Sequence, residues 1–174
     1  MRWVQLKKIV DKEYLSIVQD ILDHDEYKKM NDIKHHNTTR YNHCLKVSYY
    51  SYKIAKLLKL KREDVARGGL LHDFFSDRTI YHDKAIEKVK LYTIEHPKLA
   101  VENAKKHFEI SKIEEDIIRS HMFPVDIKVP KYAESWIVSS VDKILGTFEF
   151  GKKASHKLGY AANLYLLLLL NMLK

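Results

Sequence analysis

Histidine and aspartate stand side by side three times in this 174-residue chain, at His24-Asp25, His72-Asp73 and His82-Asp83. Ten histidines and twelve aspartates in this length give fewer than one such pair by chance, so the surroundings must separate the three. His24-Asp25 lies in LDHDEYKK and His82-Asp83 in IYHDKA, both polar settings that suit solvated pairs. His72-Asp73 lies in GGLLHDFF, between apolar residues on both sides. A charged group in such a place is rarely buried without a partner. A metal ion accepts a neutral imidazole and a carboxylate together. Four more groups enter apolar helical patterns: His43 before Val47 and Tyr50, His96 before Pro97, His121 after Ile117 and Ile118, and Asp142 between Val138 and Leu145. Taken singly, each serves as readily as a hydrogen-bonded core residue or a helix cap. Together they bring ligand groups from five helices, which is how helical bundles build metal sites in their cores.

The periodicity of the elements that must carry these groups is helical nearly throughout. A first helix is expected over 4–22, followed by a polar loop over 31–40. A helix over 41–60 carries two apolar stripes: His43, Val47, Tyr50, Ile54 and Leu57 on one, Leu45, Tyr49, Tyr52 and Leu58 on the other. Two stripes predict burial on a wide arc. The next helix spans 62–75, where Gly68 and Gly69 allow close packing despite their low helix propensity. Residues 76–92 show no clear pattern and suit a loop, either an ordinary surface loop or one that gates substrate. Helices follow over Pro97–Phe108, with proline at the favoured first position, and over 112–122, with the capping-box spacing of Ser111 and Glu114. Beyond the Pro124–Pro130 connection, helices are expected over 132–150 and 156–173. The sum is a compact all-α bundle of about seven helices forming one domain over 1–174.

Composition narrows the function classes. Five glycines and three prolines are too few to punctuate a many-stranded β fold. The single cysteine rules out an intramolecular disulfide framework and suits a reducing compartment. Cys44 reads as a small buried hydrophobe. The net charge of +8 divides equally between the two halves of the chain, so no basic block argues for a dedicated nucleic-acid surface. No uninterrupted apolar segment follows the basic residues at the start, and the apolar run Tyr165–Leu170 inside NLYLLLLLNML is far shorter than the roughly 20 residues of a membrane helix. The expected location is cytoplasmic, with no membrane partner. Leu166–Leu170 is expected to serve the core or a homodimer contact.

Five segments, RYNHCLKVSYYSYKIAKLL, ARGGLLHDFF, EHPKLAVENAKKHF, EEDIIRSHMFP and ESWIVSSVDK, resemble in that order those of the HD-domain metal-dependent phosphohydrolase superfamily, closest to a bacterial branch of small HD proteins. The resemblance covers about 35–150 and implies the all-helical HD bundle, with the N- and C-terminal helices packed on it. It implies metal ligation by His43, His72, Asp73 and Asp142. His96 and His121 match the extra positions of members that hold two ions, where the equivalent of Asp73 bridges both. Two departures stand out. Many hydrolytic members continue His-Asp with a run ending in Lys, whereas this chain has Phe74-Phe75-Ser76. Members that hydrolyse guanosine tetra- and pentaphosphate carry Glu-Asp three and four residues beyond the Asp, and Ser76-Asp77 is half of that signature.

The activity implied is metal-dependent hydrolysis of a nucleotide or other small phosphate ester, by in-line attack of a metal-bound hydroxide at a site of one or two divalent ions. The imidazole and carboxylate donors suit Mn, Fe, Co, Ni or Zn. The catalytic candidates are Asp73, Arg40, whose guanidinium can grip phosphate one turn before His43, and Lys143, which follows Asp142. His35 and His36 are further candidates for substrate contact. Two other functions use the same ligand set: a di-iron HD oxygenase, and a non-catalytic HD module that binds a nucleotide or partner, which the missing Lys motivates.

Overall fold

The structure is a computed structural model that describes residues 11–35, 38–75 and 94–150. Among these residues are seven α-helices and a two-strand ladder of two residues each, numbered in chain order below. The expected all-α bundle is observed. Helix α1 spans Lys12–Asp23 and starts later than the expected residue 4, because the Asp11 carboxylate accepts a hydrogen bond from the Tyr14 amide and caps it. Residues 4–10 lie outside the described residues. Tyr14, Val18 and Ile21 form its buried face at helical spacing. A short α2, Asp25–Lys28, runs into a 3-10 turn, Lys29–Asp32. The polar stretch expected as a loop instead pairs β1, Lys34–His35, antiparallel with β2, Thr38–Thr39. Thr39 then caps α3 through its side-chain oxygen.

Helix α3, Arg40–Leu57, corrects the expected stripes. Tyr50, Ile54, Leu57 and Leu58 are exposed, Leu57 to 81%. The buried face runs through His43, Cys44, Val47, Ser48, Ser51, Tyr52 and Ala55. Small residues occupy this face because α4, Arg62–Leu71, lies so close. A Cβ added to Gly69 would stand 2.8 Å from Ser48 Cα, and one on Gly68 would stand 2.9 Å from two side-chain carbons of Ile117. The role expected for these two glycines is therefore observed. The seam is also polar at its centre: Tyr14 Oη and Ser48 Oγ are 2.8 Å apart, and Ser48 donates to the Ala66 carbonyl at 2.6 Å.

Helix α4 occupies the middle of the bundle, packed on α1, α3, and the three helices that follow: α5, His96–His107; α6, Lys112–Ser120; and α7, Ala133–Phe150. Two apolar clusters flank it. One joins Tyr14, Tyr27, Tyr52, Leu70, Phe74 and Ala100; the other joins Val47, Val65, Ile117, Val138 and Leu145. Cys44 is fully buried in the first, as expected. Both halves of the capping box at Ser111 and Glu114 are present. The helix expected over 156–173, the Leu166–Leu170 contact and the unpatterned 76–92 stretch all lie outside the described residues.

Candidate metal centre

Helix ends, rather than helix middles, deliver most of the candidate ligands. Helix α4 stops at Leu71, four residues short of expectation, so His72 is its C-cap and Asp73 lies beyond it. The chain turns tightly there, with the Phe74 amide donating to Leu71 O and the Phe75 amide to Asp73 O. His96 is the first residue of α5 and His121 the C-cap of α6. Only His43, in the first turn of α3, and Asp142, in α7, sit inside helices. Ends suit this role because the chain can turn there to aim a side chain, and all six groups converge between the two apolar clusters.

The distances divide the six into two halves that share Asp73. In one half, His43 Nε2 lies 2.9 Å from Asp142 Oδ1, and His72 Nε2 lies 3.5 Å from the same oxygen and 3.8 Å from Asp73 Oδ2. In the other, Asp73 Oδ1 lies 3.3 Å from His96 Nε2 and 3.5 Å from His121 Nε2, and the two imidazole nitrogens are 2.9 Å apart. Three overlapping sets have donor atoms all within 4.8 Å of one another: His43, His72 and Asp73; His72, His121 and Asp142; and Asp73, His96 and His121.

Outer hydrogen bonds orient the rings. His72 Nδ1 is 2.8 Å from Gly69 O and His121 Nδ1 is 2.7 Å from Ile118 O, each a carbonyl three residues back. A ring N–H held this way turns the Nε2 lone pair inward, the arrangement that metal-ligating histidines use. His72 Nε2 is buried with no hydrogen-bond partner of its own, yet faces two carboxylates. A cation among these groups satisfies all three, so the residues present fit a divalent metal.

The charges agree with that fit. Burial works to raise the Asp73 pKa, but His72, His121 and His96 hold it well below the usual carboxylate range. Burial acts on Asp142 in the same way and is outweighed by His43 and His72. Burial would lower the His72 pKa, but Cys44, Asp73 and Asp142 raise it well above the ordinary value, so a proton serves as counter-charge to the carboxylates. A divalent ion held by these groups would supply the same counter-charge. His121 is the opposite case: burial, helped by His96 and His72 and opposed by Asp73, lowers its pKa to about 4 and leaves a neutral ring.

The centre opens into a cavity of about 420 Å³, whose described lining includes Arg40, Phe75, Met122, Lys143, Gly146 and Thr147 beside the ligand groups. Arg40 is buried and its guanidinium lies 3.9 Å above the Phe75 ring, donating to the Phe75 carbonyl at 2.7 Å. Phe75, at the departure from the family's Lys-ended run, also packs against the His96 ring. Lys143 reaches the cavity wall, where its ammonium donates to the His121 carbonyl and, at 3.0 Å, to Ser139 Oγ. Burial lowers its pKa, against the influence of Asp142. The side chain of His35 and the whole of His36 lie outside the described residues.

Sequence reading did not single out Phe75, Asn103, Ser139 or Gly146. Asn103 donates to the Phe74 carbonyl at 3.1 Å, and Ser139 donates to His121 O at 2.8 Å. The legible signal was position: Ser139 and Gly146 lie three before and four after Asp142, on its side of α7.

No helix among the described residues is long and apolar enough to cross a membrane. No curated protein and no solved structure matches the chain. The pattern of the HD domain matches residues 40–156, which include all six ligand candidates. On that match the chain belongs to the HD-domain superfamily of metal-dependent phosphohydrolases.

Proposed function

We propose that this protein hydrolyses a nucleotide or other small phosphate ester, using two divalent ions held by His43, His72, Asp73, His96, His121 and Asp142. The observation that carries the reading is the two-sided placement of Asp73. One carboxylate oxygen faces His72 and the other faces both His96 and His121. A carboxylate placed this way would be able to serve both ion positions. When bound, paired divalent ions acidify water and neutralise charge on phosphoryl oxygens.

The chain's own residues supply the rest. His43, His72 and Asp142 would hold one ion and His96 with His121 the other, each ring kept at its angle by packing or by a backbone carbonyl. Arg40 provides positive charge at the cavity wall, in place of the Lys missing after His72-Asp73, and draws the phosphate group toward the ligand cluster. Phe75 keeps that guanidinium in place and excludes water from one side of the site. Lys143 and Ser139 together hold the His121 carbonyl and so its ring.

Metal content by mass spectrometry on wild type and on the His96→Ala/His121→Ala double variant tests the reading. Two ions per chain falling to about one, with phosphate release from a screen of Mn- or Co-loaded protein, is the expected result. Iron together with substrate-dependent oxygen uptake would move the assignment to a di-iron oxygenase. Tight nucleotide binding by metal-loaded protein without turnover would move it to a non-catalytic module.

A further inference from the structure

Three described glycines lie inside helices, and two have a steric reason to be glycine. Gly68 and Gly69 sit where a Cβ would collide with Ile117 and Ser48. Gly146 has no such reason: no atom of the described residues lies within 4 Å of where its Cβ would stand. A glycine inside a helix costs about 1 kcal/mol relative to alanine, and among the described residues no packing offsets that cost. Its φ is not positive, so backbone conformation does not demand glycine either. What distinguishes Gly146 is its place on the cavity wall, four residues beyond Asp142 in α7 and therefore on the same face. Four residues of helix advance about 6 Å, farther than the two bonds that separate phosphorus from the esterified carbon, so position 146 lies level with the body of an organic group rather than with its ester oxygen. The cavity of about 420 Å³ lies within the range of small-molecule sites, about 300–1,000 Å³, and a phosphoryl group fills only a small part of it.

We propose that Gly146 is the specificity-determining position of this site: the missing side chain leaves room for the organic portion of a phosphate ester whose phosphoryl end lies at the His/Asp cluster. The assignment rests on the phosphohydrolase reading and adds the direction in which substrate extends, along α7 from Asp142 past Gly146 toward Thr147. Side chains at 146 set the permitted bulk of the ester without touching the ligand residues.

The test uses the full chain in its metal-loaded form, as wild type, Gly146→Ala and Gly146→Leu. Calorimetric titration with orthophosphate, phenyl phosphate and adenosine 5′-monophosphate gives affinity against bulk. Wild type is expected to bind at least one of the organic phosphates more tightly than orthophosphate. Gly146→Leu is expected to lose that preference tenfold or more while keeping its orthophosphate affinity, its metal content and its thermal midpoint. Gly146→Ala is expected to lose two- to threefold, which keeps the test open should the leucine variant fail to fold. A wild type without preference, a leucine variant that retains it within twofold, or an equal loss of orthophosphate binding overturns the proposal. Binding that follows the expected pattern with no ester hydrolysed leaves the role of Gly146 standing and removes the hydrolase reading.

Discussion

The two halves of the centre are built from the same residue types but balanced differently. Around Asp142, two imidazoles face a carboxylate of their own, with His43 at 2.9 Å and His72 at 3.5 Å. Around Asp73 Oδ1, two imidazoles share one carboxylate oxygen and face each other at 2.9 Å. Their supports differ as well. The first half is anchored where α3 and α4 touch, through His72 and the Gly69 carbonyl. The second stands at the ends of α5 and α6, where His121 Nδ1 is held by the Ile118 carbonyl at 2.7 Å but His96 Nδ1 is buried with no hydrogen-bond partner among the described residues. On the proposed two-ion reading, the greater anionic charge of the first half is expected to make it the tighter ion site.

The largest effect is expected at the residue both halves share. Asp73→Ala should abolish metal-dependent turnover, a loss on the order of 10³-fold or more, and reduce metal content below one ion per chain. A variant that keeps two ions would break the division drawn here. Next in size is the contrast between halves. Asp142→Asn should weaken the tighter site, and His121→Ala only the other. In chelator competition the Asp142 variant should release its ions about tenfold more readily, since a charged donor contributes more than a neutral one. The reverse order would invert the comparison. Smaller again is the support of the second half. Ser139→Ala with Lys143→Met frees the His121 carbonyl and should weaken that site by less than the Asp142 change weakens its own, with the first ion retained in mass spectrometry.

Two stability changes complete the series. Gly69→Ala forces a Cβ against Ser48 and should cost about 1–3 kcal/mol, read as a lower thermal midpoint and looser metal binding in the first half. Asp126 pins the connection after His121 through Arg119, at 2.7 Å. Burial pushes its pKa up, but Arg119 outweighs burial and holds it below the model-peptide value of 3.8. A depressed folded pKa contributes stability above 3.8 that disappears as pH falls through the folded value. Asp126→Asn should therefore lose about 1 kcal/mol at pH 7, and the gap from wild type should close in acid. A gap that persists in acid would show that the ion pair is not its source.

Most of the fold was legible because helical periodicity, Pro97 at a helix start and the Ser111–Glu114 box are local signals. The stripe on α3 misled because Tyr50, Ile54 and Leu57 are apolar while Ser48 and Ser51, which face the core, are polar. Hydrophobicity is a poor guide where close backbone approach demands small residues. The early end of α4 was hidden for a related reason: apolar pairs on both sides of His72-Asp73, Leu70-Leu71 and Phe74-Phe75, read as continuing the helix, whereas the chain turns after Leu71, with Arg40 and Asn103 holding the Phe75 and Phe74 carbonyls from distant helices. Arg40, read as a phosphate grip, lines the cavity and is also seated on Phe75, a pairing across 35 residues that spacing cannot show.

By itself the sequence determined the all-helical bundle, the six His and Asp groups with the chemistry they suit, and the two glycines that let α4 pack closely on its neighbours. Each follows from residue type and short-range order. Only the tertiary structure decided that the six divide into two unequal halves hinged on Asp73, that Lys143 serves His121, and that Gly146 opens onto the cavity. Those facts depend on distances between segments far apart in the chain, and packing of whole helices sets such distances.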